Sequence, residues 1–230
     1  MSKIIDLLAE EQVSIIVVTL IICTFILLLS KKVKKLDVKD TPRGFIQIGI
    51  LYVETMNNII VTNMGKKHGP KFAAYLGSVF IYLLLANTVG LLGFETPTSS
   101  LSVTLVFALI TWLLIQGVSV KQNGVKGYIK GFFEPFFPFV IPNVFGAVAP
   151  LISLSMRLFG NVLSGGIIMS MLYAFTGWLS SYVPVIGGIN VFGVIIAPVI
   201  HLYFDLFAGF LQAFLFMTLT SILISVEFTE

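Results

Sequence analysis

From Pro135 to Val226 the chain carries only two charged side chains, Arg157 and Asp205, and His201 is the one histidine there. A stretch this long and this poor in charge cannot be surfaced by water. In lipid every backbone N–H and C=O must be satisfied within its own segment or a closed barrel, and the long apolar runs select helices. The rest of the chain agrees: 57% hydrophobic and 11% charged residues, with mean hydropathy +1.01, against roughly 25% charged in soluble domains. The sequence therefore reads as an all-α polytopic membrane protein. The net charge of +3 resides in short interhelical stretches, where it encodes orientation rather than affinity for nucleic acid.

The apolar runs place spans at residues 13–30, 72–92 and 101–120, followed by two long elements at 151–176 and 190–226. That makes about five transmembrane helices. Residues 44–66 form a further, amphipathic helix, with Gln47, Glu54, Asn58 and Thr62 in a narrow polar line, and this helix is not counted as crossing. Pro135, Pro138, Pro142 and Pro150 interrupt the approach to the fourth span, so its uninterrupted helix is expected only after Pro150. Residues 190–226 would be about 55 Å long if fully helical, against a hydrocarbon core of roughly 30 Å. Both long elements must therefore tilt, or kink at Pro198, as an inclined hairpin.

Charge sets the direction. Lys31 to Arg43 is strongly basic, as are Lys66, Lys67 and Lys71, and again Lys121, Lys126 and Lys130, whereas the connection before the third span holds only Glu95. The basic stretches belong inside, which puts the N-terminus outside and the C-terminus in the cytoplasm. The segment before the first span is acidic, and no small-residue cleavage site follows it, so it does not read as a cleaved signal. His68, among lysines in a Gly-Pro turn, reads as a solvated loop residue, and Cys23 as a small buried hydrophobe.

An arginine at a bilayer centre costs about 2.5–3.5 kcal/mol on insertion scales, so Arg157 needs a reason. Helical spacing puts Ser153, Arg157, Asn161 and Ser164 on one face, and His201, Asp205, Gln212 and Thr220 on one face of the last helix. Both stripes would face something wet or charged. Structural roles compete: Arg157 paired with Asp205, Asn161 and Gln212 as interhelical hydrogen bonders, and His201 as an interfacial imidazole. Asn87, Thr88, Ser102 and Thr104 would serve helix packing, and Gly160, Gly165 and Gly166 close helix contact. No metal-ligand spacing, nucleophile elbow or phosphate loop occurs, so neither metal nor cofactor nor catalytic chemistry is expected.

Arg157-Leu-Phe-Gly-Asn161, preceded by Ser153-Leu-Ser, and Gln212-Ala-Phe-Leu-Phe-Met-Thr-Leu-Thr220 together resemble subunit a of the F-type ATP synthase, bacterial type. Pro97 to Leu105 resembles a family segment too, and the similarity runs in order from Phe72 onward. The resemblance implies a non-catalytic stator subunit in a bacterial plasma membrane, surrounded by lipid. Its partners would be the ring of c subunits, the b-subunit peripheral stalk and the remaining synthase subunits. Two aqueous half-channels would carry H+ or Na+ to and from ring carboxylates on either side of Arg157, with Gln212 holding the arginine's orientation and Asn161 lining the polar path.

The chain departs from the family pattern in three places. Gly166 stands where many relatives carry a carboxylate or histidine, Asn143 stands at a position often acidic, and Asp205 stands where histidine or another polar group is usual. The access path would be rebuilt around Asp205 and His201. Two other classes remain: a self-contained secondary transporter, which would usually show an internal repeat that is not seen here, and a membrane scaffold whose Arg157 only pairs with Asp205.

Overall fold

A computed structural model describes residues 13, 15–24, 26–28, 30–31, 44–92, 96–182 and 190–228. The basic stretch 32–43, Glu95 and the Pro-Val-Ile-Gly-Gly stretch at 184–188 lie outside the described residues, as does part of the first span. Among the described residues all regular structure is helical. An apolar helix, α1 (Ile15–Leu28), precedes four helices long and apolar enough to cross a membrane. Thr19 of α1 meets the Tyr82 hydroxyl at 3.0 Å. Cys23 is exposed rather than buried, on a helix whose inward positions are Val18 and Ile22.

α2 (Phe45–Thr88) is two arms, not one rod, because Gly65 at φ 75°, ψ 163° breaks the helix. That conformation is essentially restricted to glycine. The arms fold back on each other: the Tyr52 hydroxyl donates to the Gly77 carbonyl at 2.6 Å. A Cβ on Gly69 would lie 2.8 Å from the Val61 Cα. The exposed side of the first arm mixes the polar line with Ile48, Leu51 and Val53. Gln47, Glu54, Asn58 and Thr62 are exposed, while Met56, Ile60 and Met64 enter the core.

The core lies where α2 meets α6 (Gly209–Val226), the last helix. Leu76, Phe80 and Leu83 pack there with Ala213, Phe216, Met217 and Ile224, and α3 (Leu101–Gly131) and α4 (Val140–Ser180) add Ala108, Ile115, Leu154 and Leu158. In lipid such contacts gain little from water exclusion, so close packing and interhelical hydrogen bonds carry the association. Asn63 Nδ2 donates to Ser221 Oγ at 2.8 Å. His68 is not a solvated loop residue: its ring stacks on Phe228 at 3.8 Å between centroids.

The fourth span begins at Val140, not after Pro150, and continues unbroken for 41 residues, about 61 Å. Pro142 falls in the first turn, where its missing N–H has no helical partner to lose. Pro150 removes the donor that would meet the Gly146 carbonyl, and α3 packs beside this stretch, where Trp112 Nε1 and Gln116 Nε2 donate to the next carbonyl, that of Ala147, at 2.6 and 3.2 Å. Bonds from a neighbouring helix thus brace the backbone beside the proline.

After α4 the chain resumes at Asn190, which caps α5 (Val191–His201) and ties it to α4. Its Oδ1 accepts from Gly193 N at 2.8 Å and Ser180 Oγ at 3.2 Å, and its Nδ2 donates to Thr176 Oγ1 at 3.0 Å and the Tyr173 carbonyl at 3.3 Å. Between α5 and α6, Leu202–Ala208 winds as a π-helix. From Val191 to Val226 the helical path covers 36 residues.

Candidate ion-path site

The π segment changes which residues share a face. An α-helix advances about 100° per residue, and an i→i+5 turn holds about one residue more than an i→i+4 turn. His201 is thereby turned about 100° away from the side it would share with Gln212 in an unbroken α-helix. The expected single stripe of His201, Asp205, Gln212 and Thr220 is therefore split. His201 and Asp205 line a polar cavity, whereas Gln212 and Thr220 are buried in helix contacts.

This Asp205 cavity holds about 440 Å³ and is walled by Asn87, Thr96 and Ser99 on one side, Asn161, Gly165 and Gly166 on another, and His201 and Asp205 on the third. Asp205 Oδ2 lies 2.8 Å from His201 Nδ1, and His201 Nε2 lies 3.1 Å from the Tyr173 hydroxyl. With Asp205 ionised, His201 presents its Nδ1 proton to the carboxylate, and in the neutral imidazole Nε2 then accepts from Tyr173. Asp205 is thus paired within its own helix. Arg157 forms no salt bridge among the described residues.

A second polar cavity of about 580 Å³ lies toward the other end of α4. Gln116, Asn123 and Tyr128 of α3, Glu134, Asn143 of α4 and Glu227 line it. The α3 side of this cavity bends at Gly124, whose φ 69°, ψ 161° again requires glycine, and the bend lets the Tyr128 hydroxyl reach Gln116 Oε1 at 2.7 Å. Asn143 Nδ2 faces the carbonyls of Gly131, Phe132 and Glu134 at 3.4, 3.0 and 2.9 Å. Its amide anchors the connection into α4 while bordering the cavity.

Arg157 stands between the two. α4 contributes residues 142–150 to the Asn143 cavity and 161–169 to the Asp205 cavity. Arg157 is about 10 Å of helix beyond the first and about 6 Å before the second. Leu154 and Leu158 bury the flank of this turn beside Arg157. Arg157 itself is half-buried, and its Nη2 lies 3.5 Å from Ser153 Oγ, as their shared face predicts. On the last helix Gln212 occupies the same interval, after Gly209 of one cavity and before Leu223 of the other. Gln212 is 7% exposed, and its Nε2 has no hydrogen-bond partner among the described residues. It makes no bond to Arg157.

Several participants escaped sequence reasoning. Asn87 reads there as a packing residue, and it does pack, donating to the Gly209 carbonyl at 3.3 Å, yet it also borders the Asp205 cavity. Tyr173 continues the four-residue steps Asn161, Gly165 and Met169 along α4, a periodicity that would have found it. Gly165 packs as expected, against Phe204. Gly160 and Gly166 do not, since a Cβ on either would meet open space.

The chain matches the family model described as ATP synthase A chain over residues 12–225. It is similar to "ATP synthase subunit a" of Mycoplasma genitalium, 31% identical across 92% of this chain and 76% of that protein. The corresponding protein of Desulforamulus reducens is 35% identical across 73% of this chain and 61% of its own length. "ATP synthase subunit a, sodium ion specific" of Propionigenium modestum is 35% identical across 67% of this chain and 53% of that protein.

Proposed function

Because the chain belongs to the ATP synthase subunit a family, we propose that it is the membrane stator of a rotary synthase, passing ions between its two polar cavities by way of a partner ring. Arg157 carries this reading. It is the only Lys or Arg after Lys130, and it stands free of a carboxylate partner among the described residues, between the two cavities along α4.

In this reading the Asp205 cavity is the access path from outside and the Asn143 cavity the path from the cytoplasm. The α4 and α5–α6 spans leave most of their surface uncovered by the rest of the chain, as helices lying along a ring of c subunits would. A ring carboxylate approaching Arg157 loses its ion. At 4 Å and an effective dielectric of 20, the attraction is about 4 kcal/mol, or about three pKa units. A guanidinium keeps its proton throughout, so it also blocks direct passage from one cavity to the other. The ion must ride the ring to reach the second path. Gln212 offers an amide with no partner among the described residues at the same level, able to donate to a ring carboxylate through Nε2 and to accept from Arg157 through Oε1.

The chain itself carries no catalytic chemistry in this assignment, and the b-subunit stalk and remaining synthase subunits hold it against rotation. It sits in a bacterial cell membrane with five spans, N-terminus outside and C-terminus inside, and the first arm of α2 does not count as a span. The scaffold alternative needs Arg157 and Asp205 to neutralise each other, and the pairing of Asp205 with His201 speaks against it.

ATP-driven pH change and sodium-22 uptake, measured side by side on the reconstituted complex with and without Arg157→Ala, test the assignment. Loss of both in the variant is expected, and whichever ion the unmutated complex moves is the coupling ion. Transport at normal rates in Arg157→Ala would refute it.

A further inference from the structure

The π segment that sets Asp205 against its cavity is gripped from outside its own helix. Asn87, 4% exposed near the end of α2, accepts from the buried Thr98 hydroxyl at 2.7 Å through Oδ1 and donates to the Gly209 carbonyl at 3.3 Å through Nδ2. Gly209 is the first residue after the π segment. A Cβ there would fall 2.9 Å from the Asn87 Cβ, so only glycine admits this approach. One turn on from Asn87, Gly90 faces the carboxylate, and a Cβ on it would lie 3.7 Å from Asp205 Cγ. The same short stretch of chain therefore touches both Asp205 and the exit of the π segment.

A π turn is the rarer winding of a helix and persists where its surroundings favour it. Without that support the segment would return to i→i+4 bonding, and the preceding residues would turn by about 100° relative to α6. Asp205, the fourth of the segment's seven residues, would turn by about half of that and away from its place on the cavity wall. We propose that Asn87, oriented by Thr98 and admitted by Gly209, is a positioning residue that holds the π turn and thereby keeps Asp205 in the ion path. The functional meaning rests on the stator reading, but the geometry does not, and the two can fail separately.

The test uses the assembled complex in proteoliposomes with Cys23→Ser as background and either Asp205→Cys or Asn161→Cys as a probe on opposite walls of the cavity. A charged methanethiosulfonate reagent reads water access at each. Adding Gly209→Ala or Thr98→Val should slow labelling of Asp205→Cys at least about threefold, the scale on which one buried hydrogen bond shifts a two-state register. Labelling of Asn161→Cys should stay unchanged, and Thr98→Ser, which keeps the hydroxyl, should label like the parent. Unchanged labelling of Asp205→Cys with both variants overturns the proposal. So does an equal fall at both probes, which would mean general collapse, and so does a parent labelled at neither, in which the cavity would hold no water. Transport by Arg157→Ala is scored separately, so a failed lock leaves the stator assignment standing.

Discussion

Replacing Gly65 by alanine isolates what the α2 hairpin owes to backbone conformation alone. At φ 75°, ψ 163° a residue with a Cβ is strained by about 1–3 kcal/mol. No atom lies within 4 Å of where that Cβ would go, so no steric clash adds to the effect. Gly117 in α3 is the internal control: its added Cβ also meets open space, but it sits inside a regular helix. There alanine gains up to about 1 kcal/mol in propensity. The two substitutions add the same methyl group and should move stability in opposite directions. With about 2–4 °C per kcal/mol for a chain of this size, Gly65→Ala should lower the midpoint of thermal unfolding by several degrees while Gly117→Ala leaves it level or raises it. Tryptophan fluorescence of the protein in lipid nanodiscs reads this directly, since Trp112 is bonded across the α3–α4 contact. A midpoint for Gly65→Ala no lower than that for Gly117→Ala would refute the hairpin's dependence on glycine.

Asn190→Ala removes three hydrogen bonds that tie α5 to α4 and the one that caps α5. It should destabilise by about 1–3 kcal/mol, seen as a lower unfolding midpoint. Gly166→Leu fills the Asp205 cavity from a position with open space above it, and should cut ATP-driven ion transport while leaving the unfolding midpoint unchanged. Lys130→Ala breaks an ion pair whose side chains are 78% and 63% exposed, and should change neither transport nor stability measurably, as exposed pairs rarely do.

The polar positions were legible in the sequence because lipid makes each of them conspicuous: Arg157 and Asp205 stand out against a stretch with no other charge. Their mutual placement was less legible. Counting in α-helical steps puts Asp205 and Gln212 on one face, and nothing in Leu202–Ala208 announces an i→i+5 turn. That turn is favoured by contacts from Asn87, more than a hundred residues away. The helix also runs on through Pro150, where the adjoining Ala147 carbonyl is bonded by Trp112 and Gln116 of a neighbouring helix. Local sequence cannot show a donor supplied from elsewhere. His68 was misjudged for the same reason, since the partner that stacks on it is Phe228.

The grip of α2 on α6 has a consequence for biogenesis. Asn87 enters the bilayer region early, but its partner Gly209 is translated more than a hundred residues later. At about 5–20 residues per second, the Asn87 Nδ2 waits some seconds to tens of seconds with that bond unmade. The nascent chain is then most exposed to membrane proteases and insertion chaperones, and arrival of the last helix closes that window. The contact thus bears on survival of the chain during synthesis as well as on the folded protein.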